Sequence, residues 1–471
     1  MKTIKITVTF LALIFAFSCE DRLDVVPEDN VASNTVFGSF ATINGAVVGI
    51  YSKNQSGDLN GNAQLMSDFM ADNVNFVGSF PSLQEIDQFE TLATNASIDN
   101  IWLDGYELIG AANNIIENLP NVSIDDVTGL TEADKTVFVA EAKFLRAITN
   151  FQLVNLFAQP FQFSNGANLG IPIVTLPFEG GDISEFQLER STVNEVHAFI
   201  EQDLLDAAAA LPEDNGVRAE AGAARALLAR LYLYRGEWAQ AADLANQVIT
   251  SGEYTLASDY DFYDDNPNSS EHIFVVVNTP TDGPQENAGS DEVYVNFYNP
   301  APGGRGDAPF SQELIDAFAA EPGDRRFDEL SQAASDAGGN DTFFTTKYPD
   351  IVNNASDGMA LRITEMYLIR AEANLLNGSS VGDTPLNDIN LLRNRAGLGN
   401  LGSVDLATIL LERRKELCFE GHRRMDLLRN NLNLRPDGGA VSAPGADKVI
   451  FPIVEDETTN NPNITQNPGS F

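Results

Sequence analysis

Gly378-Ser379-Ser380-Val381-Gly382 has the spacing of a nucleophile elbow, in which a strained turn lifts a serine hydroxyl toward an acyl group. That geometry needs a strand before the serine and a helix directly after it. Here a helical pattern precedes the motif and a proline-containing loop follows, so the esterase reading fails on its own context. Asp259, Asp261, Asp264 and Asp265 could gather around calcium, but the central glycine and closing glutamate of an EF-hand loop are missing. A solvated acidic loop is the simpler reading. His197, His272 and His422 are the only histidines, and none forms a His-Glu-x-x-His or other short ligand pair, which argues against a zinc hydrolase. Carboxylate pairs for glycoside hydrolysis exist among 68 acidic residues, but no pair stands out. Gly397-Leu398-Gly399-Asn400-Leu401-Gly402 matches a dinucleotide fingerprint, yet it follows a helix (Leu386 to Ala396), so Gly397 reads as a helix terminator. Arg305-Gly306-Asp307 reads as a tripeptide in a turn. Catalytic residues, metal ligands and cofactors are therefore all expected to be none.

One residue does promise covalent chemistry. Cys19 follows an apolar run, Val8 to Ser18, that Lys2 and Lys5 precede. A positive start, a short greasy stretch and a small residue before the break make a secretory signal too short to persist as a membrane-spanning helix. A cysteine at the cut site is similar to the bacterial lipoprotein signal, in which that cysteine is acylated and becomes the new N-terminus; an ordinary signal peptide with an incidental cysteine is the plainer alternative. Residues 1–18 are thus expected to be a leader, and 19–35 a lipidated cysteine with an acidic tether. Several acyl chains hold a protein firmly where one would not. The other cysteine, Cys418, lies in an apolar-periodic helix and reads as a small buried hydrophobe, leaving no disulfide to form.

The rest of the 471 residues must form a large core, with 43% apolar and 20% charged residues. The formal charge of −40 repels nucleic acid and anionic lipid head groups. Helical periodicity dominates. Leu103, Tyr106, Ile109, Ala112, Ile115, Ile116 and Leu119 form a stripe that Pro120 ends. Thr131 caps a helix carrying Phe138, Ala142, Leu145, Ile148, Leu153 and Leu156, and another runs from Ser191 or Thr192 to Leu211. Residues 217–256 form a helical hairpin broken at Gly236, with small alanines facing Tyr, Leu and Trp, like a tetratricopeptide unit. Trp102 and Trp238 sit on helical stripes and read as core. Residues 51–100, 158–190 and 257–345 read as long irregular stretches whose aromatic content argues against disorder, with one buried strand at Ile273–Val277. The expected fold is mainly α: helix pairs as scaffold, long loops as ligand surface and little β.

The C-terminal third carries a more specific pattern. Its blocks are Leu361 to Ala373, Leu386 to Leu398, Leu411 to Arg429 and Phe451-Pro452-Ile453-Val454-Glu455-Asp456-Glu457, closed by Asn461-Pro462-Asn463-Ile464-Thr465-Gln466-Asn467-Pro468-Gly469. Together with Trp102, Tyr106, Ile109, Asn113 and the 217–256 hairpin, these blocks resemble the SusD/RagB family of outer-membrane nutrient-binding lipoproteins. The resemblance implies a single SusD-like domain over 36–471, with helix pairs of tetratricopeptide type. It implies a non-catalytic, lipid-anchored protein on the outer face of the outer membrane, paired with a SusC-like TonB-dependent transporter. It implies capture of oligosaccharide or polysaccharide, or of peptide or another nutrient in some members. The acidic surroundings lean toward neutral glycans such as glucans. Glu412, Glu416 and Glu420 step by four among Arg413, Arg414, Lys415, Arg423, Arg424 and Arg429, which reads as structural ion pairing, with an anion-binding patch as the sharper alternative.

Glycan recognition without catalysis needs aromatic faces against sugar C–H groups and side chains that hydrogen-bond hydroxyls. The irregular stretches offer Asn73, Asn75, Phe76, Phe80 and Phe89, then Tyr294, Phe297, Tyr298 and Asn299 ahead of Gly303-Gly304-Arg305-Gly306. Family members often carry an aromatic residue inside that glycine-rich turn, where Arg305 stands here. Asn73, Phe76, Phe80, Phe89, Tyr294, Tyr298, Asn299 and Arg305 are therefore the candidate ligand contacts.

Overall fold

The computed structural model describes residues 33–177, 183–264, 268–282 and 293–469. Cys19, the leader and nearly all of the tether lie outside the described residues, as does Asp265.

Ten helices carry the architecture: α1 (Phe40–Asn54), α2 (Ala96–Asn118), α3 (Glu132–Phe157), α4 (Val193–Ala210), α5 (Ala221–Arg235), α6 (Trp238–Thr250), α7 (Ile363–Asn377), α8 (Pro385–Arg395), α9 (Leu406–Leu417) and α10 (Arg423–Arg429). From α2 to α8 each of these helices packs on the next, so the stack grows in chain order. The starts follow from local chemistry. Thr131 with Asp134, and Thr192 with Glu195, close reciprocal capping boxes at the heads of α3 and α4. At the foot of α8, Gly397 is left-handed (φ +77°), the Leu398 N–H reaches the Arg393 carbonyl and the Gly397 N–H that of Asn394, a Schellman ending.

The expected hairpin is α5 and α6, hinged at left-handed Gly236. Residues 223, 224, 226 and 229 of α5 are fully enclosed alanines against Ala241, Ala242 and Ala245 of α6, which lets the two backbones approach. The Gly378–Gly382 motif is the loop that ends α7: Gly378 is its left-handed cap, and the Asn374 side chain ties down Ser379 and the Val381 N–H. A helix, and not a strand, leads directly into Ser380.

Several sequence expectations need correction. The α2 stripe is real, but Leu103 is 54% exposed; Ile98, Ile101, Trp102 and Leu108 fill the buried side instead. Residues 51–100 hold two short helices, Ala63–Phe69 and Pro81–Asp87. Residues 257–345 hold more β than expected. Strand β1 (His272–Val276) pairs antiparallel with the strand Gly358–Arg362, and β2 (Ser331–Ser335) with β3 (Asp341–Thr345), from Ser331 opposite Thr345 to Ser335 opposite Asp341. The sequence Ser-Gln-Ala-Ala-Ser carries no apolar alternation, so its strand state comes from its partner. The main core cluster draws on residues from Ile43 to Val454. Within the described residues, no helix is long and apolar enough to cross a membrane.

Candidate functional site

The glycine-rich turn is held by backbone bonds to the elements around it. The 74–77 segment lies antiparallel to 307–310, with Val77 N–H donating to the Asp307 carbonyl at 2.9 Å and Asn75 N–H to Pro309 at 3.0 Å. The Arg305 and Gly306 N–H groups return to the carbonyls of Asn296 and Asn299, and Ala337 N–H donates to Gly306. Gly304 is required by contact: a Cβ there would sit 2.4 Å from the Asn299 carbonyl oxygen. A Cβ on Gly303 would meet the Ile351 side chain, so the 349–354 turn borders the same face.

On that scaffold Arg305 stands half-buried. Its guanidinium lies 4.7 Å from the centre of the Phe80 ring and 5.0 Å from that of Phe297, and its Nε donates to Asp307 Oδ2 at 2.7 Å. Phe80 and Phe297 meet edge to face at 6.3 Å. Asn75 and Val352, the latter 86% exposed, are open to solvent on the flanking turns. An arginine held against two mutually perpendicular rings and already paired with a carboxylate offers a planar face and spare N–H donors, with little net positive charge.

The other candidate contacts are enclosed. Tyr298 donates to Asp68 Oδ2 at 2.7 Å and stacks on Tyr348; Tyr294 donates to the Ser356 carbonyl. Asn299 donates to the carbonyls of Val295 and Tyr348, and Asn73 accepts from Arg414 Nε at 2.8 Å. Phe76 packs on Phe69, and Phe89 (φ +59°) lies under Arg435. All six are buried, so they support the turn and leave Phe80 and Arg305 as the members with solvent-facing surface. Sequence reasoning missed Asp307 as the partner of Arg305. The available signal was an Arg-Gly-Asp step, since left-handed Gly306 (φ +75°) folds the two side chains together. It also missed Val352, an apolar residue set in the polar turn Asp350 to Asn354.

The charged blocks of the C-terminal third are internal. Glu412 accepts from Arg326 and Arg393, Glu416 from Arg362 and Arg395, and Glu420 from Arg362 and Lys347. Arg413 bridges Asp426 and Glu365, and Arg429 binds Glu372. Glu420 lies past the end of α9, so the expected step of four along one helix stops at Glu416. Arginines hold Glu416 down to about 2 against the upward pull of burial, and Glu365 and Glu420 well below the usual carboxylate range. Enclosed and paired, these residues leave no anion-binding surface patch. His197 and His422 are lowered to about 3 and about 4 by burial, so both are neutral, and burial pushes the Cys418 thiol up to about 11. Among the described residues no group of three or more His, Cys, Asp or Glu is placed to hold a metal.

Stacked helix pairs closed by a loop-built polar and aromatic face are the architecture that comparison with known proteins recognises. Residues 21–233 match the family described as starch-binding, associating with outer membrane, and residues 339–469 match the SusD family. The chain belongs to the SusD family, a family of carbohydrate-binding proteins. It is 27% identical to SusD-like protein P2 of Formosa agariphila, over 99% of both chains. It is 26% identical to the starch-binding protein SusD of Bacteroides thetaiotaomicron, over 74% of this chain and 76% of that one. Among solved structures, a putative sugar binding protein from Bacteroides vulgatus superposes with a TM-score of 0.79 at 26% identity, covering 92% of this chain and 99% of that one. A laminarin binding SusD-like protein superposes at 0.74 and 26% identity, covering 91% and 99%.

Proposed function

We propose that this protein is a non-catalytic cell-surface receptor that captures a neutral oligosaccharide or polysaccharide and passes it to a SusC-like TonB-dependent transporter. The observation that carries the reading is the cluster of Arg305 against Phe80 and Phe297 on the glycine-rich turn, with Asn75 and Val352 open beside it. A ring or guanidinium face takes the C–H side of a sugar, while the arginine N–H groups and Asn75 reach hydroxyls. Asp307 cancels the arginine charge, which favours an uncharged glycan over a polyuronate. The laminarin-binding and starch-binding relatives support a glucan as the ligand class. Acylation of Cys19 anchors the protein to the outer face of the outer membrane.

Calorimetric titration against neutral glucans, polyuronates and peptide pools tests the ligand class. Heat with a neutral glucan is expected; binding to peptides alone overturns the glycan reading in favour of a peptide receptor on the same fold. New reducing ends released during prolonged incubation with a bound glycan would overturn the non-catalytic reading. Co-purification of the membrane-bound protein with a transporter of about TonB-dependent size tests the partnership.

A further inference from the structure

Fourteen lysine and arginine side chains are buried among the described residues, and every buried arginine but two has a carboxylate partner. The two exceptions, Arg190 and Arg424, are treated differently by the fold. Arg190 directs its donors at five neutral acceptors: the carbonyls of Gly170, Thr465, Phe157 and Leu169 and the Asn467 side chain. Arg424, 1% exposed, reaches only the carbonyls of Asn155 (2.7 Å) and Val449, with a sulfur contact to Met425, and its Nε has no partner. Burial draws its guanidinium down to about 10, so it stays charged near neutral pH.

Arg424 also lines a cavity of about 120 Å³, whereas the donors of Arg190 are all met by protein. The wall is mixed: Ile148, Phe151, Leu156 and Met359 line it together with Gln64, Gln152 and Asn60, whose Nδ2 is buried without a partner. The other charges on the wall are accounted for. Arg230 is clamped by Glu365, and Glu420 is saturated by Arg362, Lys347 and Tyr263. His422 is neutral. The cavity therefore carries one uncompensated positive charge, in a protein whose overall charge is −40. A buried charge without a counter-charge is costly, and the cavity has room for a small ion.

We infer that this cavity binds a compact monovalent anion, a halide or a short carboxylate, as the missing counter-ion of Arg424. The bound anion joins three segments, because Arg424 already ties the end of α3 at Asn155 to Val449. The inference is independent of which nutrient the loop face takes.

The test uses crystals of the purified protein soaked in sodium bromide or in sodium acetate, together with thermal melting at fixed ionic strength. Anomalous bromide density, or acetate density, beside Arg424 and Asn60 is expected; the first identifies a halide site and the second a carboxylate site. Replacing gluconate, which is bulkier, by chloride or acetate should raise the melting midpoint by about 1–2 °C at tenfold saturation. Arg424→Gln should remove that anion-specific rise while the general salt response stays. If Arg424→Gln does not fold, the soaked crystals decide. Water alone in the cavity in both soaks overturns the inference, as does an identical melting point in chloride, acetate and gluconate.

Discussion

Asp68→Asn should make the protein more stable by a margin that grows as pH rises from about 4 to about 7 and then levels off. Asp68 is fully enclosed on the helix Ala63–Phe69, beneath the turn that carries Arg305. Its burial outweighs the hydrogen bond from Tyr298 and raises its carboxyl from the ordinary 3.8 to about 7. A carboxyl raised in the folded state contributes its full share of stability below pH 3.8, where both states are protonated, and loses it as pH climbs through about 7. Three pH units at about 1.4 kcal/mol each give a loss of about 4 kcal/mol above that window. Asparagine has nearly the same shape, still accepts from Tyr298 and never ionises. Urea unfolding of both proteins at pH 4.5, 6 and 8 should show a difference in favour of Asp68→Asn that grows by about 2–4 kcal/mol across the series. Taking the difference between variant and parent cancels the many other titrating groups. A difference that stays constant from pH 4.5 to 8 refutes the argument, because a purely steric or hydrogen-bond effect has no reason to follow pH.

Other perturbations bear on the core, the binding face and the anchor. Glu416→Gln leaves Arg362 and Arg395 facing a neutral group in the interior and should cost about 3–5 kcal/mol in urea unfolding near pH 7. That cost should shrink in acid, because the depressed Glu416 carboxyl loses its contribution as pH falls from 4.5 toward about 2. Phe80→Ala removes one ring of the Arg305 cluster and should weaken glycan binding by about three- to tenfold in calorimetry, with circular dichroism unchanged. Cys19→Ala should leave ligand affinity in solution untouched while abolishing retention in the outer-membrane fraction and impairing uptake.

What the sequence made legible and what it hid have physical causes. The long helices were readable because an apolar stripe, a capping threonine and a terminal glycine all point to the same ends, as at Thr131, Thr192, Gly236 and Gly397. Helix β-pair assignments in 257–345 were not, because Ser331–Ser335 has no pattern of its own and is ordered by Asp341–Thr345 across a turn at Gly338-Gly339. The ion pairing of the C-terminal third was readable in kind but not in place. Arg326, Arg362 and Lys347 arrive from distant segments to meet Glu412, Glu416 and Glu420, and no local spacing announces them. The binding face suffered most. Composition marks Tyr294, Tyr298 and Phe80 alike as loop aromatics, but only tertiary packing separates a tyrosine whose hydroxyl is spent on Asp68 from a phenylalanine left against an arginine near solvent.

The buried charge ladder has a colloidal side. Fourteen of the 28 cationic side chains are enclosed among the described residues, so the exterior is far poorer in positive charge than the composition suggests. Copies anchored side by side as proposed would have few cations with which to grip one another's carboxylates. They should space themselves by mutual repulsion with a range near the Debye length, about 10 Å at 0.1 M salt and about 3 Å at 1 M. A dense field of such proteins would then crowd together in brine and spread apart in dilute water, with no change in any single fold.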